Sequence, residues 1–313
     1  MKKTILILLL SVIVAEAFAQ SFYNRRINRR WEVSGSLGNT ASLTELTPVG
    51  NYFDPKLNFG GDIQYKFGGR FNARVGVDFF QLSGNDLDIP EERNTRARGL
   101  SYTSNNIELS GTVAVSLFGH SDRFTDRKFI NPYIFAGVGL LYFDPRAEIP
   151  DSLIRNGVNY GAVPNAGKRV SLARYNTERA DYSRFALVIP MGIGLRVKVT
   201  SFMDISGEVS GRITFTDYLD DISSTSYPEL DQFDWQNNED ELIAAALSSP
   251  LGSTGRRGNP DSNDYYMLFK VKANFYIQGD LLNKVFGIGG KKFNVKPSKR
   301  RRRGGGIFSK KGR

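Results

Sequence analysis

The chain of 313 residues has no cysteine, a single histidine, and no apolar run long enough for a transmembrane helix. Without cysteine it can have neither a disulfide framework nor a lipid-bearing cysteine. A membrane helix needs about 20 consecutive apolar residues, and no segment approaches that length. A single histidine also gives little basis for a zinc site, and it excludes a catalytic site that uses two histidines.

Residues 1–19 have the pattern of a secretory signal peptide. Lys2 and Lys3 form the charged start, residues 5–14 form a short apolar run, and Ala17 and Ala19 give a small-x-small cleavage site. We therefore expect the mature chain to begin near Gln20, outside the cytoplasm. An exported chain without disulfides must be stabilised by a large core or by a membrane.

The formal net charge of +10 is concentrated at the C-terminus. Residues 278–313 contain twelve Lys or Arg residues and one acid, Asp280, so the rest of the chain is close to neutral. The sequence predicts a basic, disordered tail here and a short basic segment at 20–30. Either segment could be a solvated charge run or a docking site for a partner. Export argues against a nucleic-acid partner. The basic residues with which we expect a periplasmic partner to interact are Arg25, Arg26, Arg29, Arg30, Lys299, Arg300, Arg301, Arg302 and Arg303.

Apolar and polar residues alternate with period two in most of the predicted strands. In residues 57–67, apolar or small residues occupy the odd positions and mostly polar residues the even ones. Successive side chains of a strand point to opposite faces, so each such segment has one apolar and one polar face. The pattern predicts eight strands, near residues 31–37, 57–67, 71–79, 107–117, 132–143, 184–199, 205–215 and 265–277. The fifth is apolar on both faces, so its register cannot be assigned.

The connections between these strands alternate between long and short. Residues 38–56, 83–102, 144–183 and 218–263 are long, whereas 68–69 and 200–202 are tight turns and 119–131 is modest. Transmembrane barrels have short periplasmic turns and long external loops. The sequence therefore predicts an all-β fold over residues 31–277, an eight-stranded antiparallel up-and-down transmembrane β-barrel with both termini in the periplasm.

A soluble β-sandwich would show the same alternation with its apolar face turned inward. We favour the barrel because charges of both signs lie in the middle of the polar faces and because the loops alternate in length. An eight-stranded barrel is filled by side chains, so these charges should pair in its lumen. The predicted lumen network contains Asp62, Arg74, Asp78, Glu108, Glu208, Arg212 and Lys270, and the same faces carry Lys66, Arg196 and Lys272.

No pattern in the sequence indicates catalysis, a cofactor or a metal site. His120 falls in the 119–131 connection, which the strand count places in the periplasm, away from external lipid. Asp217, Asp220, Asp221, Asn263 and Asp264 flank the last long loop, and we expect them to cap strand ends there. We expect Arg257 to pair with one of these acids, and residues 239–247 to form a short helix over the barrel mouth.

Three segments resemble the PorG-type barrels of the Bacteroidota: residues 131–145 (NPYIFAGVGLLYFDP), 215–222 (FTDYLDDI) and 257–265 (RGNPDSNDY). The resemblance covers roughly residues 31–277. It implies an outer-membrane barrel that serves the type IX secretion system and contacts a periplasmic ring of PorK-like and PorN-like proteins, called GldK and GldN in gliding relatives. The length of the outer loops leaves a surface adhesion or receptor barrel as the alternative.

Overall fold

A computed structural model describes residues 30–44, 46, 56–88, 98–121, 123–253, 256–260 and 263–277. The predicted signal peptide, the basic segment up to residue 29 and the basic tail at 278–313 lie outside the described residues. The strands and helices below follow the order of the chain.

Eight long strands form the barrel. Four short strands and one helix lie in the connection between the fifth and sixth barrel strands, and a second helix lies in the last loop. The barrel strands are β1 (Trp31–Leu43), β2 (Lys56–Phe67), β3 (Phe71–Asn85), β4 (Ser101–Ser116), β5 (Ile130–Tyr142), β10 (Phe185–Lys198), β11 (Met203–Thr214) and β12 (Tyr265–Ile277). The remaining elements are β6 (Pro145–Glu148), β7 (Ser152–Arg155), β8 (Val158–Ala162), β9 (Arg169–Ser171), α1 (Leu172–Tyr175) and α2 (Glu239–Ser248), with 3₁₀ turns at Asp86–Asp88 and Leu230–Gln232.

Every barrel strand pairs antiparallel with the strands that precede and follow it in the barrel. The sheet closes where β1 pairs with β12, in a register that sets Trp31 opposite Ile277. The eight-stranded antiparallel up-and-down barrel predicted from the sequence is therefore confirmed. Most strand ends lie within about two residues of the predicted positions. However, β1 continues to Leu43 and β3 to Asn85, each six residues beyond the predicted end, and β4 begins at Ser101, six residues before the predicted start.

The outer wall of the barrel is apolar and the interior is charged. Val138 and Leu187 are 68% and 63% exposed, whereas Glu108 and Lys272 are 0% and 1% exposed. This reversal of the usual soluble pattern is typical of the lipid-facing wall of a transmembrane barrel. No helix in the described part of the chain is long and apolar enough to cross a bilayer.

Aromatic pairs lie on the outer wall near both ends of the strands. Phe67 stacks on Phe71 at one level, with ring centroids 6.0 Å apart, and Phe59 stacks on Phe79 at the other, at 5.3 Å. At roughly 3.3 Å per residue, the strand from Phe59 to Phe67 is about 26 Å long. A strand tilt of about 40° reduces the height between the two aromatic pairs to about 20 Å, somewhat less than the apolar band of about 25 Å in such barrels.

The two ends of the barrel differ. The short-turn end carries the turn at 68–70, the turn at 199–202 and the connection at 117–129. The long-loop end carries β6 to β9, α1 and α2, which we call the cap. The cap shares one apolar core with the adjacent half of the barrel, including Phe80, Leu141 and Tyr266 from strands and Leu153, Ile243 and Leu247 from the cap. The described parts of the β5–β10 connection and of the last loop are thus folded structure and not open loops.

Candidate functional site

The seven charged residues predicted for the lumen all lie in the barrel interior. Each of their side chains is at most 9% exposed. The structure brings them together in ion pairs at two levels, one in the middle of the barrel and one nearest the cap.

Glu208 is the centre of the middle level. Its Oε1 accepts hydrogen bonds from Arg74 Nη1 at 2.6 Å and Lys272 Nζ at 3.2 Å. The Tyr133 hydroxyl donates to the same oxygen at 2.6 Å. Lys272 also contacts Asp62 Oδ2 at 2.5 Å. Several strands thus converge on one carboxylate and its neighbour, which leaves no wide path past this level.

Glu108 and Asp78 form the level nearest the cap. Arg212 Nε donates to Glu108 Oε2 at 3.0 Å, and the Tyr266 hydroxyl donates to the same oxygen at 2.8 Å. Lys270 Nζ contacts Asp78 Oδ2 at 2.9 Å. Buried charges are costly unless they are paired and hydrogen-bonded, and here each acid has a cationic partner.

The level nearest the short-turn end includes acids that the sequence analysis missed. Glu32 Oε2 contacts Lys66 Nζ at 2.8 Å, and Glu32 Oε1 contacts Arg196 Nη2 at 3.0 Å. Asp204 accepts hydrogen bonds from Arg127 and from the Tyr276 hydroxyl. Glu32 could have been found from its even position in β1. Arg127 belongs to a connection, so no strand periodicity indicates it.

β5 contributes aromatic residues to the lumen. Its register, which the sequence left open, places Tyr133 and Phe135 inside at 6% and 5% exposure and Ile134 on the outer wall. The Arg74 guanidinium lies over the Phe135 ring, 4.4 Å from its centroid. A cation held over an aromatic face is stabilised without a second carboxylate. This explains why a strand that faces a charged lumen can be apolar on both sides.

The cap is held by a buried polar cluster around Arg257. Arg257 Nε donates to Glu178 Oε1 at 2.7 Å, and Arg257 Nη2 lies 3.8 Å from Asp221 Oδ2. Glu178 also accepts hydrogen bonds from the backbone N–H groups of Ser223 and Ser224. The main partner of Arg257 is therefore Glu178 from the β5–β10 connection, which the sequence analysis did not identify, and Asp221 is a more distant partner.

Two of the segments that carry the family resemblance, residues 215–222 and 257–265, meet in this cap. Arg98 binds both carboxylate oxygens of Asp86, and its Nη1 donates to the carbonyl oxygen of Arg257 at 2.5 Å. Asp264 Oδ2 accepts the backbone N–H of Leu219 at 3.0 Å. The Asp264 contact agrees with the prediction that acids at the ends of the last loop hold it closed.

Asp221 and the helix α2 complete the cap. The side chain of Asp221 accepts hydrogen bonds from Thr177 and from the Tyr182 hydroxyl. Its complete burial raises its carboxyl pKa to about 6 despite the nearby Arg257. The predicted helix is confirmed as α2, whose Asn238 N-cap accepts the Asp240 N–H at 2.9 Å and whose Ala244, Ala245 and Ala246 are buried in the cap core.

His120 lies at the short-turn end, where its backbone N–H donates to the Gly69 carbonyl oxygen at 2.7 Å. Burial, together with the nearby cations Lys66 and Arg196, lowers its imidazole pKa to about 3. An imidazole whose protonated form is disfavoured this strongly is a weak general base. The described residues also contain no group of three or more acidic or histidine side chains placed to hold a metal ion.

The basic residues predicted to bind a partner are mostly outside the described residues. Arg25, Arg26, Arg29 and the tail residues 299–303 belong to the undescribed segments. Arg30 is described, and its carbonyl oxygen accepts the backbone N–H of Lys66 at 2.8 Å, which places it at the short-turn end.

No family model and no curated protein matches the chain. Among solved structures, the chain is similar to the Neisserial surface protein A, NspA, at 7% identity and a TM-score of 0.39, over 79% of this chain and 97% of that one. It is also similar to a major outer membrane protein from Thermus thermophilus, at 11% identity and a TM-score of 0.39, over 79% and 99%. A third is Ail, the attachment invasion locus protein of Yersinia pestis, at 7% identity and a TM-score of 0.36, over 79% and 97%. Likeness at this level carries no argument about function.

Proposed function

We propose that this chain is a non-enzymatic outer-membrane barrel that anchors a periplasmic protein-secretion complex of the type IX kind. The observation that carries the proposal is the closed lumen, in which ion pairs occupy successive levels from Glu32 to Glu108 and the cap lies beyond them. A filled barrel of eight strands offers no wide solute path. Its end surfaces are then the places at which it meets other molecules.

The short-turn end is the surface we assign to the periplasm, because barrels of this class keep their short turns there. It carries Arg30, and the basic segments at 20–29 and 278–313 are covalently joined to this end of β1 and β12. The resemblance to PorG-type barrels suggests PorK-like and PorN-like ring proteins as partners, or GldK and GldN in a gliding organism.

Co-purification from outer membranes in mild detergent tests the anchor. We expect ring proteins to be recovered with the full-length chain, and their recovery to fall when residues 278–313 are deleted. Unchanged recovery after the deletion would remove the tail from the interface. Recovery of no secretion component with the full-length chain would contradict the anchor proposal itself.

A surface adhesion or receptor role is the second candidate, and the β7–β8 hairpin favours it. Val158 and Tyr160 of β8 are 52% and 44% exposed, and the Tyr160 ring packs edge-on against Trp235 at 5.4 Å. Exposed aromatic residues on a folded loop are typical of binding surfaces. Shaving intact cells with protease should then abolish ligand binding and leave secretion intact, whereas loss of secretion alone would contradict this role.

A further inference from the structure

A cavity of about 420 Å³ lies at the short-turn end of the barrel. Its walls come from the end of the lumen, from the turn after β2 and from the connection at 117–129. The cationic residues that line it are Arg30, Lys66, Arg127, Lys128, Arg196 and Lys198. Among the described residues that line it, none is acidic. We call this cavity the basic vestibule.

The acids beneath the basic vestibule balance only part of this charge. Glu32 is shared by Lys66 and Arg196, and Asp204 binds Arg127. Two carboxylates therefore serve three cations, before Lys198 is counted. Lys198 Nζ donates to the carbonyl oxygens of Phe124 and Arg127, which are neutral acceptors. The cavity consequently has an excess of positive charge.

Two side-chain nitrogens at the basic vestibule are left without a hydrogen-bond partner. Arg127 Nη1 and His120 Nε2 are buried and have no such partner among the described residues. The Arg127 side chain is only 10% exposed. A buried N–H without an acceptor costs free energy, and an anionic ligand at Arg127 would remove that cost. A guanidinium is also well suited to bind carboxylates.

The lining and the volume of the basic vestibule favour a peptide as its occupant over a simple ion or a lipid. Tyr65, Phe67 and Tyr276 line it together with the cations, so an occupant with apolar groups would be contacted as well as its charge. Lys66, Arg196 and Tyr276 face the barrel interior, which a bilayer lipid on the outer wall does not reach. The volume of the cavity is several times that of a water-sized site.

We propose that the basic vestibule binds an acidic peptide segment of a periplasmic partner, with the carboxylates held by Arg127, Lys128 and Lys198. This inference rests on the periplasmic assignment in the proposed function and adds the chemistry of the contact. It does not require the partner to be a secretion protein, so the peptide test below and the co-purification test can fail independently.

Trp31 offers a readout through Tyr65, which lines the cavity and whose ring packs against that of Trp31, 4.8 Å between centroids. The chain has two tryptophans, so Trp235→Phe in the full-length protein leaves Trp31 as the sole reporter. In detergent micelles, a short peptide of Asp, Glu and Gly should change Trp31 fluorescence in a saturable way. The same peptide with Asn and Gln in place of the acids should not.

Three substitutions locate the site. Arg127→Gln removes a charge-assisted hydrogen bond to the peptide and should weaken peptide binding about tenfold or more. Lys128→Gln changes an exposed side chain, at which a folding defect is not expected, and should weaken binding about threefold. Arg123→Gln removes the same charge from the same connection outside the cavity, and binding should stay unchanged. Circular dichroism verifies that each variant retains its β-sheet.

Several outcomes would overturn the inference. One is equal binding of the acidic and amide peptides. Another is loss of affinity in Arg123→Gln but not in Lys128→Gln. If inorganic phosphate at equal concentration displaces the peptide completely, the site is a general oxyanion site and not a peptide site.

Discussion

At the scale of single residues, the chain depends on charges placed where water does not reach. Glu208 shows why such a charge is tolerated, because Arg74, Lys272 and the Tyr133 hydroxyl all contact one of its oxygens. A buried ion pair contributes little net stability compared with apolar packing, but removing one partner leaves the other charge buried and unpaired. The interior is therefore sensitive to loss of any one member.

Glu208→Gln tests this sensitivity. We expect it to lower the free energy of unfolding by about 3–5 kcal/mol, because Arg74 would lose its carboxylate partner inside the barrel. Glu148→Gln is the matched control, since Glu148 and Arg169 form an exposed pair at 3.2 Å, and such a pair is worth about 0–1 kcal/mol. Urea unfolding in detergent measures both. Equal losses in the two variants would contradict the importance of burial.

Asp221 gives the cap a dependence on pH. Its carboxyl pKa is about 6 in the folded cap and about 3.9 in an unfolded chain, so between these values the folded state holds a proton that the unfolded state has released. The stability of the cap should therefore fall as the pH rises from about 4 to about 6. Protection factors for hydrogen exchange of the amides around 217–225, which are corrected for the intrinsic exchange rate, should be higher at pH 5 than at pH 7.5.

Asp221→Asn is the control for this effect, because asparagine keeps one of the two oxygens that accept from Thr177 and Tyr182, tolerates the positive φ of 65° and does not titrate. The difference between the two pH values should shrink in this variant. A local measurement is needed because His120, with its pKa lowered to about 3, has the opposite effect on the whole chain. The folded state keeps His120 neutral, whereas the unfolded state binds a proton at this side chain. The free energy of unfolding therefore decreases as the pH falls below about 6.5. An unchanged pH difference in Asp221→Asn would exclude Asp221 as its source.

At the scale of elements, period-two alternation predicts seven of the eight barrel strands, because an outer wall in lipid and a charged lumen place opposite chemistry on alternate residues. The remaining strand, β5, is indicated only by a run that is apolar on both faces. The pattern failed for the facing of β5, where Tyr133 and Phe135 pack beside Arg74 and Glu208 in place of a charge. It also could not find Glu178 or Arg127, because both lie in connections whose partners are distant in sequence.

The backbones of β1 and β12 pack closely at Gly38, so we expect a larger residue at this position to destabilise the barrel. A Cβ added at Gly38 would lie 1.8 Å from the backbone oxygen of Phe269 in β12, whereas a Cβ at Gly35 would meet nothing within 4 Å. Gly38→Ala would force β1 and β12 apart and should cost about 1–3 kcal/mol or more. Gly35→Ala should leave stability nearly unchanged. A thermal shift measured in the same detergent compares them, and equal shifts would contradict the close packing.

At the scale of the whole molecule, a charged filling and an apolar wall together define what the barrel can do. Conduction needs a continuous water column, and the levels at Glu32, Glu208 and Glu108 interrupt it. We expect the purified chain to show no stable large-conductance channel in a planar bilayer. A steady open state of the wild-type protein would contradict the filled lumen and with it the anchor proposal.

The protein should also require detergent or lipid to stay monomeric, because Val138 and Leu187 are exposed.

The closure of β1 on β12 also means that the barrel cannot close before its last strand is present. Each other pair of neighbouring barrel strands follows along the chain, but the last seam joins Trp31, near the start of the described chain, to Ile277, near its end. Until β12 arrives, the partly built sheet has two edges with unsatisfied backbone N–H and C=O groups. An intermediate of this kind must be shielded by a chaperone or by the assembly machinery until synthesis and export are complete. A ribosome stall or proteolytic cut before residue 265 would therefore yield an aggregating species and not a smaller barrel.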